Sequence, residues 1–173
     1  MLFKIVCWHF KYQLIFLKCS GSGHSGPYAV SEPEIAALTT YMDQFKFNLR
    51  MYLSTHSYGN YLLWPFGFDF DLYVKNWKEH ELVGQRWVDT IQAATGTFYE
   101  LGNSADILYT ANGASDDHAV AYANANLAFT LELTGGGRFG FDFPQDRIYD
   151  LVKETFLGYR EFALYIGDHY NYV

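Results

Sequence analysis

The chain has 173 residues, half of them apolar and 20% aromatic, which suits one domain with a sizeable core and excludes a disordered protein. Its formal net charge of −7 argues against nucleic acid or an anionic membrane as partner and favours cationic ligands. No uncharged run approaches the roughly 18 apolar residues of a membrane span.

The opening stretch, MLFKIVCWHFKYQLIFLK, is apolar but broken by Lys4, His9 and Lys11, so it makes a poor secretory signal. CSGSGHSGP, residues 19–27, reads as a Gly/Ser loop and the one linker-like stretch. Cys7 and Cys19 form neither a metal motif nor a disulfide framework, and a bridge between them is left open. Ser31 and Glu34 then stand in capping-box spacing with Pro33 in the first turn, which predicts a helix to about Phe45. NLRMYLSTH reads as a strand ending at His56, and YLLWPFG as a second strand stopped by Pro65 and Gly67.

Helical periodicity returns from about Leu72 to Ala94, with Leu82, Val83, Trp87 and Ile91 on one face. TGTFYELGNSADILYTANGAS reads as a long irregular connection of the kind that is usually functional. SDDHAVAYANA predicts a short helix capped by Ser115 or one of the following aspartates. In LAFTLEL, Leu127, Phe129 and Leu131 alternate against Ala128, Thr130 and Glu132, the signature of a strand. A turn at Gly135 to Gly137 leads to a last helix from about Gln145 to Gly167, with Ile148, Val152, Thr155, Tyr159, Phe162 and Ile166 as its stripe. Helices alternating with apolar strands predict an α/β fold, a mixed and mostly buried sheet flanked by helices.

Four local features bear on chemistry. His56 closes a strand and is followed by Ser57 and Tyr58, where α/β proteins usually present reactive groups. Tyr109 lies in the long connection, where a phenol could donate a hydrogen bond, although most loop tyrosines only pack. Asp116 and Asp117 read most simply as a helix cap and first turn. Glu132 ends an apolar run, and there it must face solvent, or be paired, ligated or protonated. Gly135 to Gly137 is no phosphate loop, since neither a Lys-Ser/Thr pair nor a helix start follows it.

Taken in order, STHSYGNYLLWPFG, ILYTANGASDD and FTLELTGGGRFGF followed by a long terminal helix resemble the zinc carboxypeptidases of the carboxypeptidase A and B type. The likeness runs from about Cys19 to about His169 and corresponds to the C-terminal half of that family's catalytic domain. It implies that His56 is a zinc ligand, that Glu132 takes the attacking water's proton, and that Tyr109 closes over bound substrate. It also implies that Ser57, Tyr58 and Phe141 line the substrate cleft. Asp116 falls at the floor of the pocket for the substrate's last side chain, where members selective for C-terminal Arg or Lys carry Asp. A carboxylate there pairs with guanidinium or ammonium and leaves an apolar side chain poorly matched, so a basic preference is expected. Asp117 is left with the N-cap role.

The departures are as informative. The family's other two zinc ligands come from a His-x-x-Glu motif, and none of His9, His24, His56, His80, His118 and His169 begins one. His80, in KEHEL, belongs to a helix that the family uses for packing. The arginines that polarise the scissile carbonyl and clamp the substrate carboxylate have no counterpart either, and Cys19 resembles a cysteine whose partner is missing. The chain is therefore expected to divide into residues 1–18, foreign to the family, and residues 19–173, a truncated half that is inactive alone and poorly soluble for its exposed strand edges. The complete enzyme is expected to be a secreted zinc peptidase acting on peptides with basic C-termini, with a pro-segment an open question. The alternative is a non-catalytic relative that binds such C-termini.

Overall fold

The computed structural model describes residues 28–170. The expectations placed on residues 1–18, Cys7, Cys19 and the 19–27 loop lie outside the described residues. In order, the chain forms α1 (Pro33–Asp43), β1 (Met51–Ser57), β2 (Tyr61–Trp64), α2 (Trp77–Thr95), β3 (Glu100–Asn103), α3 (Ser104–Ile107), α4 (Ser115–Ala121), β4 (Leu127–Leu133) and α5 (Ile148–His169). The strands make one sheet in the order β1-β4-β2-β3, with β1 parallel to β4, β2 parallel to β3, and β2 antiparallel to β4. A mixed sheet between helices was expected, and it is what forms. β1 and β3 are its edges, so the outer flank of β1 has no ladder partner among the described residues.

Each strand divides its side chains between two layers because successive residues point to opposite faces. On one face Leu62, Trp64, Leu127, Phe129 and Leu131 pack against Val83, Trp87, Val88 and Ile91 of α2 and Phe162 and Tyr165 of α5. Phe129 stacks on Phe162 at 5.0 Å, and Arg86 of α2 pairs with Glu161 of α5 at 2.5 Å. The other face is thinner. There Ala128 and Tyr52 meet Met42 and Leu38 of α1 and Ala119 of α4.

Several sequence expectations shift. α1 starts at Pro33 with Glu32 as its cap residue, and Ser31 donates to Glu32 Oε1 at 3.0 Å, so the Ser31–Glu34 capping box does not form. α2 starts at Trp77, not near Leu72, and Leu82 is exposed on it while Val83, Trp87 and Ile91 are buried. The long connection is not structureless, since β3 and α3 lie within it. Glu100–Asn103 is strand only because β2 offers a ladder to it, a tertiary effect that Gly102 and Asn103 do not announce.

α5 is rotated from its expected stripe. Thr155 and Phe162 face inward as expected, but they are joined by Glu154, Gly158 and Tyr165, whereas Ile148, Val152 and Tyr159 are exposed. The cause is close helix–helix contact. A Cβ on Gly158 would collide with the Trp87 indole, so the smallest side chain marks the contact row, and the apolar count misses it.

Candidate active site

The site lies on the thinner face of the sheet, at the C-terminal ends of β1 and β4. In the parallel β1–β4 ladder His56 stands opposite Glu132, and Ser54 stands opposite Thr130. All four therefore share one face, and Tyr61 of β2 flanks Glu132 on its other side. The apolar neighbours Leu131 and Phe129 are committed to the opposite layer. Glu132 is thus neither buried in the main core nor pointed into free solvent.

Glu132 is only half-buried, yet its Oε2 is enclosed and has no hydrogen-bond partner. Burial without a compensating donor penalises the ionised form and raises the carboxyl from 4.5 to about 7. Its ladder neighbour His56 is held below the usual imidazole range by burial. Ser54 Oγ lies 2.6 Å from His56 Nε2, and Nδ1 makes no hydrogen bond to any described residue. A serine hydroxyl on one ring nitrogen fixes the imidazole and leaves the other free to ligate or accept a proton.

Two residues down the strand, about 6–7 Å away, Thr130 meets Asp116. Asp116 is 1% exposed, the most secluded carboxylate among the described residues. Thr130, the Asp117 N–H at 3.1 Å and its own N–H surround it with donors, but burial outweighs them and pushes its carboxyl upward. Behind it, the Tyr52 hydroxyl bonds to both Ser115 and Ser54, joining the His56 end of the site to the Asp116 end.

Asp117 does not cap α4. The cap residue is Ala114, without a side-chain bond, and neither Ser115 nor the aspartates take that position. Asp117 instead reaches across to β2's exit loop and accepts the Gly67 N–H at 2.9 Å and 3.2 Å. Burial, and then the charge of Asp116, raise its carboxyl well above the normal range. Gly67 in turn accepts the Ala111 N–H at 2.7 Å, so one glycine ties α4 to the loop of residues 108–114. A Cβ on Gly67 would press on Ser104 Oγ at 3.2 Å, and so a side chain is excluded from this wall.

The remaining candidates sit around the mouth. Tyr109 is 61% exposed on the 108–114 loop. Ser57 is exposed at the end of β1. Tyr58 and Phe141 form an edge-to-face pair with centroids 4.9 Å apart. The glycine turn serves that pair, because Cβ atoms on Gly135 and Gly140 would overlap Tyr58. His80 of α2 packs in the main core against Phe129. It is fully buried, its Nε2 accepts the Ala128 N–H at 3.2 Å and its Nδ1 donates to Asn76 O at 3.2 Å, as expected of a packing histidine.

Sequence reasoning pointed to His56, Glu132 and Asp116, which the fold gathers on one face of the sheet, but it did not point to their neighbours Ser54, Thr130, Tyr52 and Gly67. Ser54 and Thr130 carry a signal in hindsight, since each stands two residues before a candidate on the same strand face. Gly67 carries none, because its backbone N–H acts from fifty residues away.

The profile of the zinc carboxypeptidase family matches residues 16–158. The chain belongs to the zinc carboxypeptidase family. It is 33% identical over 148 residues to carboxypeptidase B of Astacus astacus, covering 86% of this chain and 48% of that protein. To human carboxypeptidase O it is 34% identical over 137 residues, covering 79% of this chain and 36% of that protein. The structure of bovine thrombin-activatable fibrinolysis inhibitor, solved with a tick carboxypeptidase inhibitor, superimposes with a TM-score of 0.75 at 26% identity, over 83% of this chain and 48% of that one. The chain thus spans about half or less of the length of these relatives.

Family membership implies zinc in the complete enzyme. A catalytic zinc takes three protein ligands and keeps a fourth position open. His56 fits as one ligand and the orphaned Glu132 as its neighbour, but among the described residues no group of three His, Cys, Asp or Glu is placed to hold a metal ion.

Proposed function

We propose that the chain contributes the specificity pocket and the general base of a zinc metallocarboxypeptidase that removes C-terminal Lys or Arg from peptides. The observation that carries this reading is Asp116, a carboxylate 1% exposed among hydrogen-bond donors, with no cation of the described residues beside it. A desolvated carboxylate of this kind is costly until a guanidinium or ammonium enters, and then it discriminates strongly against apolar side chains. Thr130, Tyr52 and the Asp117–Gly67 bond hold its position.

Zinc, bound by the whole enzyme, supplies Lewis-acid polarisation and lowers the pKa of water towards about 7. His56 offers Nδ1 as one ligand while Ser54 occupies Nε2. Glu132, with its carboxyl near 7, is matched to accept the attacking water's proton and return it to the leaving amine. Tyr109 closes from its exposed loop, and Ser57 with the Tyr58–Phe141 pair receives the peptide upstream of the scissile bond. We read the enzyme as secreted, on its family resemblance. The described residues include no helix long and apolar enough to cross a membrane.

The test is an assay of the full-length gene product on peptides ending in Lys, Arg, Leu or Phe. Lys and Arg should be released fastest, and Asp116→Ile should abolish that preference. An unchanged preference in the variant would refute the role of Asp116. A product that retains basic C-termini without zinc or turnover would favour the binding-only alternative.

A further inference from the structure

The loop joining α3 to α4 carries Asn112 followed by Gly113, the one Asn-Gly pair in the sequence. Asn-Gly is the context in which a backbone nitrogen most readily attacks the preceding side-chain amide, because glycine has no Cβ to shield its own N–H. Here the geometry leaves both reactants free. Asn112 is exposed, and its side-chain amide bonds to no described residue. Gly113 turns the chain at φ +83°, and its N–H donates to no described acceptor.

The other described asparagines lack this freedom, Asn60 through its side-chain amide, which donates to Phe98 O at 3.1 Å. After Asn48, Asn76, Asn124 and Asn126, the attacking N–H is already engaged: Leu49 to Phe45 O at 2.8 Å, Trp77 to Val74 O at 3.1 Å, Ala125 to Ala119 O at 2.8 Å and Leu127 to Arg50 O at 3.1 Å. Asn103 is buried, and its side-chain oxygen is held by the N–H groups of Ala105 and Asp106 at 3.0 Å and 3.2 Å.

We propose that Asn112 is a site of spontaneous deamidation on the loop beside the Asp116 pocket. The Gly113 nitrogen bonds to Asn112 Cγ as the Cγ–Nδ2 bond breaks, and the proton lost from that nitrogen leaves with the amide as ammonia. Water then opens the resulting five-membered imide at either carbonyl, giving an aspartyl or an isoaspartyl residue, with no change of oxidation state. Either product adds one negative charge one residue after Ala111, which Gly67 clamps. The isoaspartyl form also lengthens the backbone by one methylene between Tyr109 and Asp116. If Asp116 receives a basic side chain, as proposed above, this charge lies on the same loop system. The modification itself does not depend on that reading.

The experiment incubates the whole chain, folded, in mildly alkaline buffer at body temperature for days, followed by fragment mass mapping and enzymatic methylation of isoaspartyl groups. Asn112 should convert first, with a gain of about one dalton and both products present, at a rate comparable to that of a free peptide spanning residues 107–118. The N112Q variant should show no gain at that position. Conversion of another asparagine ahead of Asn112, or an unchanged folded chain while the free peptide converts, would overturn the proposal.

Discussion

The two faces of β4 behave as different materials. Leu127, Phe129 and Leu131 are all fully buried between α2 and α5, in a mainly apolar layer where the His80 ring packs 5.4 Å from Phe129. Thr130 and Glu132, each the next residue along, face a layer of carboxylates, hydroxyls and one imidazole whose burial raises Asp116, Asp117 and Glu132 and lowers His56. The first face contributes stability and fixes the strand. The second accepts electrostatic cost, which the proposed function puts to use in groups that take a proton or a cation. A strand's two-residue period is what allows both within seven residues.

The comparison breaks most visibly under substitution of the core face. Phe129→Ala should destabilise the chain by about 3–5 kcal/mol, read as a fall in the urea midpoint, through loss of the Phe162 stack and the cavity left behind. Thr130→Ala, one residue on, should cost about 1 kcal/mol. Equal losses would mean that the two faces are not distinct.

His80 tests the link between the layers. His80→Leu keeps volume but leaves the Ala128 N–H buried without an acceptor, at a cost of about 1–3 kcal/mol. A neutral result would show that this backbone donor finds another partner.

A subtler difference is expected in pH dependence. Asp116 and Asp117 are raised above their ordinary value of 3.8, so with rising pH the unfolded chain releases these protons before the folded chain does. The folded state holds more protons in that window, and stability therefore falls as pH climbs from the ordinary aspartate range through the folded values. Asp117→Asn retains an oxygen for the Gly67 N–H and removes the ionisation, so its urea midpoint should depend less on pH than that of the parent. Identical pH profiles would place Asp117 in water.

Much of the core face was legible in the sequence, because alternation in LAFTLEL and the spacing of Val83, Trp87 and Ile91 report burial directly. The α5 stripe was legible only at Thr155 and Phe162, since the rest of its buried row includes Gly158 against Trp87 and Glu154 bonded to Thr97, and neither is apolar. On the other face, the positions of His56, Glu132 and Asp116 follow from motifs that resemble the family's, and the functions given to them are proposals. The role of Asp117 was not legible. Local pattern made it a helix cap, whereas its partner is a backbone N–H fifty residues earlier in the chain, and no local signal encodes such a pairing. Tertiary contacts decided where local propensity was ambiguous.

The most direct test of the central claim is an NMR titration of the Glu132 side-chain carboxyl in the metal-free chain. An enclosed, unpartnered carboxylate in register with His56 should titrate near 7, well above the ordinary 4.5. A midpoint near 4.5 would put Glu132 in open water at a strand end and contradict the reading of this face as an active-site half.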